Sequence, residues 1–267
     1  MANIAADRAE MPKGANKVLD RRTVENDNGN LLKFLKGDIS VLDVGCGSGS
    51  ITAGIASYIG KKGMITGIDV SEDLIAQAKE QFGEVANLQF FVADINGFDG
   101  EAKFDLITSA RVLQWLPNPK EVVKKMKALL KNGGCLSILD YNHTNIEWMP
   151  QSPASMRKLY DAFLQWRTDA GFDNKIADNL ADIFTTCGFK NISVINQSEI
   201  TTREDEHFES KAGIWKVVAE TRGRQLVKDN YITEEERTAA IREYEAWIKE
   251  DGQYMKMYLL AVEAQIE

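Results

Sequence analysis

Between residues 39 and 139, apolar residues fall in short unbroken runs separated by stretches of helical spacing. Ile39-Ser40-Val41-Leu42-Asp43-Val44 is such a run. It ends in glycines and predicts a buried strand. Ile51, Ile55 and Ile59 repeat every four residues and predict a helix closed by Gly60. Met64 to Asp69 predicts a second strand. Ser71 can cap the next helix, with Leu74, Ala78 and Phe82 inward. Leu88–Val92 and Phe104–Thr108 predict the third and fourth strands. Val122, Met126, Leu129 and Leu130 mark a helix stopped by Asn132-Gly133-Gly134, and Cys135–Leu139 reads as a fifth strand. Such alternation with short loops implies right-handed βαβ units, and a mostly parallel sheet covered on both faces.

The flanking segments are less regular. Residues 1–20 show no clear period and read as an arm or a docked first helix. Residues 21–36 predict a short helix ending at Gly37. After Asp140 the rhythm breaks. Met156, Leu159, Tyr160, Phe163 and Trp166 fit one helical face, and another helix is predicted near 176–187. A strand follows at Ile192–Ile195. Residues 203–250 are charged with helical spacing around Trp215 and Tyr244, and Tyr254–Val262 reads as a last strand. The expectation is one domain over 1–267. Its regular strand-and-helix core spans about 25–140, with helical excursions at about 141–175 and 203–250 folding over the sheet edge.

Composition narrows the possibilities. The 267 residues are 44% hydrophobic, enough for a sizeable core, and carry a net charge of -8. That balance argues against a nucleic-acid partner, because phosphate contacts need a basic surface. No apolar run approaches a membrane span and the N-terminal residues have no apolar export segment, so a cytoplasmic protein is expected. Cys46, Cys135 and Cys187 are too scattered for a disulfide framework or a metal cluster, and no metal is expected.

Asp43-Val44-Gly45-Cys46-Gly47-Ser48-Gly49 carries the strongest chemistry, lying directly between a strand and a helix. Its glycines permit a tight turn and close approach of a ligand to backbone. The spacing lacks the third glycine of the dinucleotide fingerprint and the Gly-Lys-Ser/Thr of a P-loop, which disfavours a dehydrogenase and excludes a P-loop nucleotidase. Asp69, ending the second strand, can accept hydrogen bonds from a ribose diol; the alternative is an acid at the start of the next helix. Asp94, in Ala93-Asp94-Ile95, can accept from an exocyclic amine such as that of adenine, with Val70 and Ile95 sandwiching the ring; the alternative is an exposed turn aspartate.

This succession, followed by Phe104-Asp105-Leu106-Ile107, resembles the class I (Rossmann-like) S-adenosylmethionine-dependent methyltransferases over roughly residues 25–140. The resemblance implies a doubly wound, mostly parallel seven-stranded sheet with its last strand antiparallel, and S-adenosylmethionine as cofactor with S-adenosylhomocysteine as product. It implies that Asp43, Gly45, Cys46, Gly47 and Gly49 border the methionine part of the cofactor. Asp69 would hold the ribose hydroxyls, Asp94 and Ile95 the adenine, with Val70 on the ring's other face, and Ser109, Ala110 and Arg111 would line the methionine side. Trp115-Leu116-Pro117 is similar to a segment of the small-molecule branch, and Trp115 is assigned to the substrate. Ser109-Ala110-Arg111-Val112 stands where nucleic-acid amino-methyltransferases carry Asn/Asp-Pro-Pro-Tyr/Phe, which weakens that reading.

A hydroxyl or ammonium acceptor needs a base. His143, one of two histidines, and Tyr141 are the candidates past the fifth strand; His207 sits in an acidic run and reads as surface. Trp148, Phe163, Trp166 and Trp215 suit either core packing or a lid over an apolar or aromatic small molecule. Arg157, Lys158 and Arg167 suit an acidic acceptor or, more simply, a solvated helix face. The expected protein is a small-molecule methyltransferase, monomeric or homodimeric. The alternatives are an RNA or protein methyltransferase and a non-catalytic protein that binds the cofactor for regulation.

Overall fold

The structure, a computed structural model, describes residues 4–12, 20–99 and 104–266; part of the arm expected over residues 1–20 lies outside them. Eight strands are described: β1 (Ser40–Val44), β2 (Met64–Asp69), β3 (Leu88–Val92), β4 (Phe104–Ala110), β5 (Leu130–Met149), β6 (Lys190–Asn196), β7 (Glu199–Thr202) and β8 (Tyr254–Gln265). The sheet runs in the order β3-β2-β1-β4-β5-β8-β6, with β7 pairing β8. The pairs β1–β2, β1–β4, β2–β3 and β4–β5 are parallel, whereas β8 is antiparallel to β6 and to β7. The seven-strand path matches the expected doubly wound sheet; β7 is an addition.

The chain divides into two compact units. The larger spans Asn16–Asp140, Ile176–Gln197 and Leu260–Glu267; the other spans Met1–Ala15, Tyr141–Lys175 and Ser198–Leu259. In the larger unit, adjacent strand residues feed opposite faces. Val41, Ile65 and Leu106 pack with Ile55, Ile75 and Phe90. Leu42, Val44 and Ile107 pack with Val122, Met126 and Phe184. Both faces are therefore covered, which is why the strands read as continuous apolar runs. Strand order reverses at β1, whose neighbours β2 and β4 lead to opposite edges. This switch point places the loops after β1, β2 and β4 at one sheet edge, the usual place for a ligand crevice.

Two further elements depart from expectation. The helix expected over 21–36 is one turn, Val24–Asp27, capped by the Thr23 side chain, followed by a 3-10 segment at Gly29–Lys33. Asn28, with φ -153 and ψ 37, breaks the helix between them. β5 runs ten residues beyond the expected end at Leu139, to Met149. Its polar residues find local partners. The Asp140 carboxylate accepts from Gln114 N at 3.0 Å, and Asn142 Oδ1 accepts from Thr144 N at 2.8 Å.

The smaller unit packs helices Ala154–Asp169, Phe208–Ala212, Ile214–Glu220, Arg222–Lys228 and Glu234–Glu250 around buried Tyr160, Phe163, Trp215 and Tyr244. The long helix Glu234–Glu250 begins with a reciprocal capping box between Thr233 and Glu236. The N-terminal helix Ile4–Ala9 docks here through Arg8, whose guanidinium lies 4.8 Å from the Trp166 ring centroid and 5.3 Å from that of Tyr231. No described helix is long and apolar enough to cross a membrane.

Candidate functional site

The loop after β1 is built by backbone rather than side chains. Gly45, Gly47 and Gly49 have φ of +77, +56 and +84, a region that favours glycine. Space enforces the same choice. A Cβ on Gly45 would lie 2.3 Å from a Val112 methyl, and one on Gly49 would lie 2.7 Å from the Phe90 ring. Gly45 N and Cys46 N both donate to the Ile68 carbonyl, at 2.8 and 3.0 Å, fastening the loop to β2.

Two carboxylates brace this loop. Asp43 is buried at the end of β1 and accepts from Thr52 Oγ1 at 2.6 Å. Burial, with Asp69 nearby, raises its pKa to about 6 against the hydrogen bond from Thr52. Asp69 ends β2. One oxygen accepts from Gly47 N at 3.0 Å and the other from Ser71 N at 2.9 Å. Its pKa is raised by burial and held back by those N–H donors. The bond from Ser71 N is the helix-start role that the sequence offered as the alternative for Asp69, and the bond from Gly47 N ties it to the loop as well. Each carboxylate oxygen retains acceptor capacity beyond the one bond named.

On the neighbouring strand, Val92 is the register partner of Asp69, and exposed Asp94 follows two residues later. Asp94 Oδ1 accepts from Asn96 N at 2.9 Å, closing a turn. Val70 is 69% exposed, so an apolar side chain stands in solvent beside Asp69, while Ile95 is buried. Cys46 packs close to Gly67, and burial pushes its thiol well above the usual range. A thiol so held is not a nucleophile at neutral pH.

At the end of β4, the buried Ser109 hydroxyl donates to the Val44 carbonyl at 2.9 Å and Ala110 is half-buried. Arg111 is buried and left-handed, with φ +63. Its N donates to the Leu139 carbonyl at 2.7 Å, and its Nη2 to the Asp27 carbonyl at 3.1 Å. Trp115 ends a 3-10 turn and is half-buried. Thr52, Asp27 and Gln114 were not singled out from sequence; Asp27 meets Arg111 and Gln114 meets Asp140 far along the chain, and Thr52 reaches Asp43 across the glycine loop, pairings no spacing rule encodes.

The other predicted residues gather in the smaller unit. Tyr141 and His143 stack with centroids 5.2 Å apart. Trp215 stands edge-on to Tyr160 at 4.6 Å and lies 6.3 Å from His143, 5.9 Å from Phe163 and 6.5 Å from Trp148. Trp166 stacks on Phe163 at 6.3 Å. These rings fill one another's space. They leave a cavity of about 10 Å³ lined by Tyr141, His143, Tyr160 and Trp215, room for about one water. Trp148 Nε1 is taken by Tyr244 OH at 3.0 Å, whereas the buried Trp215 Nε1 has no acceptor among the described residues.

His143 is buried rather than solvent-facing. Its N donates to the Asn174 carbonyl at 2.8 Å, and its carbonyl accepts from Tyr160 OH at 2.5 Å. Burial, reinforced by the Arg167 charge, holds its pKa well below 6.5, so the imidazole is neutral at pH 7. Arg167 corrects the sequence reading of a solvated helix face. It is fully buried, donates from Nε to Asn174 Oδ1 at 2.7 Å, and lies 5.4 Å from the Phe163 ring centroid and 5.7 Å from that of Phe172. His207 is exposed beside Glu206, as expected.

Comparison with known proteins places this geometry in a family. Residues 35–208 match the model of the methyltransferase domain, and the chain belongs to that family. Among curated relatives, it is similar to a malonyl-[acyl-carrier protein] O-methyltransferase of Ilyobacter polytropus, at 33% identity over 36% of this chain and 37% of the relative. It is also similar to a ubiquinone biosynthesis O-methyltransferase of Coxiella burnetii, at 35% identity over 39% of this chain and 47% of the relative. The chain thus spans less than half the length of these relatives. Among solved structures, a phosphoethanolamine N-methyltransferase of Haemonchus contortus, with phosphomonomethylethanolamine and S-adenosylhomocysteine, has a TM-score of 0.57 at 19% identity. That match covers 90% of this chain and 52% of the other. A methyltransferase from Aquifex aeolicus has a TM-score of 0.55 at 17% identity, covering 97% and 100%. At these identities the structural likeness establishes the fold: a mostly parallel, doubly wound sheet with its last strand reversed.

Proposed function

We propose that this chain is an S-adenosylmethionine-dependent methyltransferase that acts on a small molecule, as one domain over 1–267 in the cytoplasm. The observation that carries the reading is the brace of Asp69 on the Gly45–Gly49 loop. A carboxylate with acceptor capacity stands beside a turn whose backbone has no room for side chains. That donor and acceptor set fits a ribose diol next to a zwitterionic chain. Asp94, with Val70 and Ile95, fits an adenine edge and its faces. Gly45, Cys46, Gly47 and Gly49, with Asp43 behind them, and Ser109, Ala110 and Arg111 across from them, would border the methionine part.

S-adenosylmethionine, when bound, supplies a methyl group on a sulfonium, which is strongly electrophilic. The work left to the residues is alignment, exclusion of water and, for a hydroxyl or ammonium acceptor, removal of a proton. His143, neutral at pH 7, is the candidate for the last task, as a weaker base than a free imidazole because burial and the Arg167 charge oppose its protonation, and Tyr141 stacks on its face. Trp115 and Trp148, each half-buried, offer apolar surface to an acceptor, whereas Phe163, Trp166 and Trp215 are buried against one another as packing. The O-methyltransferase names of the curated relatives and the N-methyltransferase name of the Haemonchus neighbour support transfer to oxygen or nitrogen. Labelled-methyl transfer tests this, using a panel of small hydroxyl- and amine-bearing acceptors. S-adenosylhomocysteine released only with acceptor present supports the reading, and retention of label in S-adenosylmethionine across a broad panel would count against it.

A further inference from the structure

Arg111 combines two unfavourable choices. It places a residue bearing a Cβ in the left-handed region, and it buries a guanidinium. Such a combination persists when its surroundings fix it. Here the backbone on both sides is committed: Arg111 N donates to the Leu139 carbonyl, and the Arg111 carbonyl accepts from Gln114 Nε2 at 3.0 Å. The side chain reaches back across the sequence to the helix turn Val24–Asp27. It donates to the Asp27 carbonyl at 3.1 Å and stands 3.9 Å from the Asp27 carboxylate, which also accepts from Thr23 N. The next residue, Val112, sits against Gly45 so tightly that no side chain fits between them.

We propose that Arg111 is a positioning residue: its latch to Asp27 fixes the left-handed turn after β4 and thereby seats Val112 against Gly45, holding the glycine loop in the shape that receives a ligand. Glycine would satisfy the backbone at position 111 without strain, so arginine is present for what its side chain holds. The same contact orders the turn Val24–Asp27, whose Val24 packs on Gly54 of the helix that follows the loop. One guanidinium therefore ties the loop's two flanks. The consequence for binding rests on the cofactor reading above; the consequence for loop rigidity does not.

The test compares wild type, Arg111→Gly, Arg111→Lys, Asp27→Ala and the Arg111→Gly/Asp27→Ala double variant. Two quantities are measured: amide hydrogen exchange in the ligand-free protein and S-adenosylhomocysteine affinity by titration. Arg111→Gly and Asp27→Ala should each speed exchange at Gly45 and Cys46 while leaving core-strand amides such as those of β4 unchanged. Arg111→Gly should weaken affinity about tenfold, as for loss of a charge-assisted hydrogen bond, and Asp27→Ala, which keeps the backbone acceptor and removes only the carboxylate 3.9 Å away, should weaken it less. The double variant should add little to Arg111→Gly, and Arg111→Lys, which keeps charge without the planar fork, should fall between that variant and wild type. Unchanged loop exchange in both single variants, uniformly faster exchange across the unit, or full additivity would overturn the latch. Asp27→Asn, which removes the charge but keeps a side-chain acceptor for Thr23 N, serves where Asp27→Ala fails to fold; it should show the same local pattern at smaller amplitude, and unchanged loop exchange would count against the latch. Wild-type protein that does not bind S-adenosylhomocysteine would refute the cofactor reading, while the exchange data would still judge the latch.

Discussion

The carboxylate at the end of β1 makes the loop pH-sensitive, and Asp43→Asn exposes the effect. Asp43 moves from 3.8 to about 6 on folding, chiefly through burial. Below pH 3.8 the group is protonated in both states and contributes nothing. Between about 4 and 6 the unfolded chain releases the proton while the folded protein keeps it, so stability falls as pH rises. Above 6 both states are ionised and the penalty is constant. The shift corresponds to about 3 kcal/mol, at about 1.4 kcal/mol per pKa unit. In Asp43→Asn, Oδ1 can still accept from Thr52 Oγ1, while the new amide N–H groups need acceptors, which offsets part of the gain by about 1–3 kcal/mol. The absolute stability of the variant is therefore less informative than its pH dependence. Urea denaturation at pH 4, 5, 6 and 7, with m compared between proteins, gives the difference curve. The stability of Asp43→Asn relative to wild type should rise by about 2.4 kcal/mol from pH 4 to 7, or roughly 5–10 °C in Tm for a domain of this size. Parallel curves for the two proteins would refute the claim that Asp43 is buried and ionised at neutral pH.

Other predictions follow from single contacts. Asp69→Ala should weaken S-adenosylhomocysteine binding by about 1–3 kcal/mol by calorimetry, and unchanged affinity would remove Asp69 from the site. Gly45→Ala forces a Cβ onto Val112 at positive φ. It should lower stability by about 1–3 kcal/mol in chemical denaturation, and near-neutral behaviour would show that the loop yields. His143→Ala should reduce turnover and spare cofactor affinity, with full activity dismissing it as the base. Because its folded pKa lies below 6.5, His143 supports the fold above that pH, and this support is lost as pH falls and the unfolded imidazole takes up a proton. His143→Gln should therefore flatten the acid side of the wild-type stability curve, and an unaltered acid limb would contradict the burial argument.

The parallel strands were legible because burial on both faces leaves uninterrupted apolar runs, and the glycine loop because its φ values exclude other residues. What escaped was polar burial. Asp140, Asn142 and His143 look like a loop in sequence, yet β5 continues through them because Gln114, Thr144 and Asn174 satisfy them locally. Arg167 reads as surface by residue type, but Asn174 and two phenylalanine rings take it inside. Two misses left a signal. The breaker-rich Asn26-Asp27-Asn28-Gly29-Asn30 run could have ended the first helix early. The β-branched Ile200-Thr201-Thr202 could have been read as β7. The Arg111–Asp27 latch left none, since its partners are 84 residues apart.

The central claim is the cofactor, and calorimetric titration of the purified protein with S-adenosylmethionine, S-adenosylhomocysteine and NAD tests it most directly. Saturable binding of the first two, with no heat from NAD and a marked loss in Asp69→Ala, is the predicted result. Binding of NAD alone, or of none of the three, would contradict the reading of the glycine loop and every role built on it.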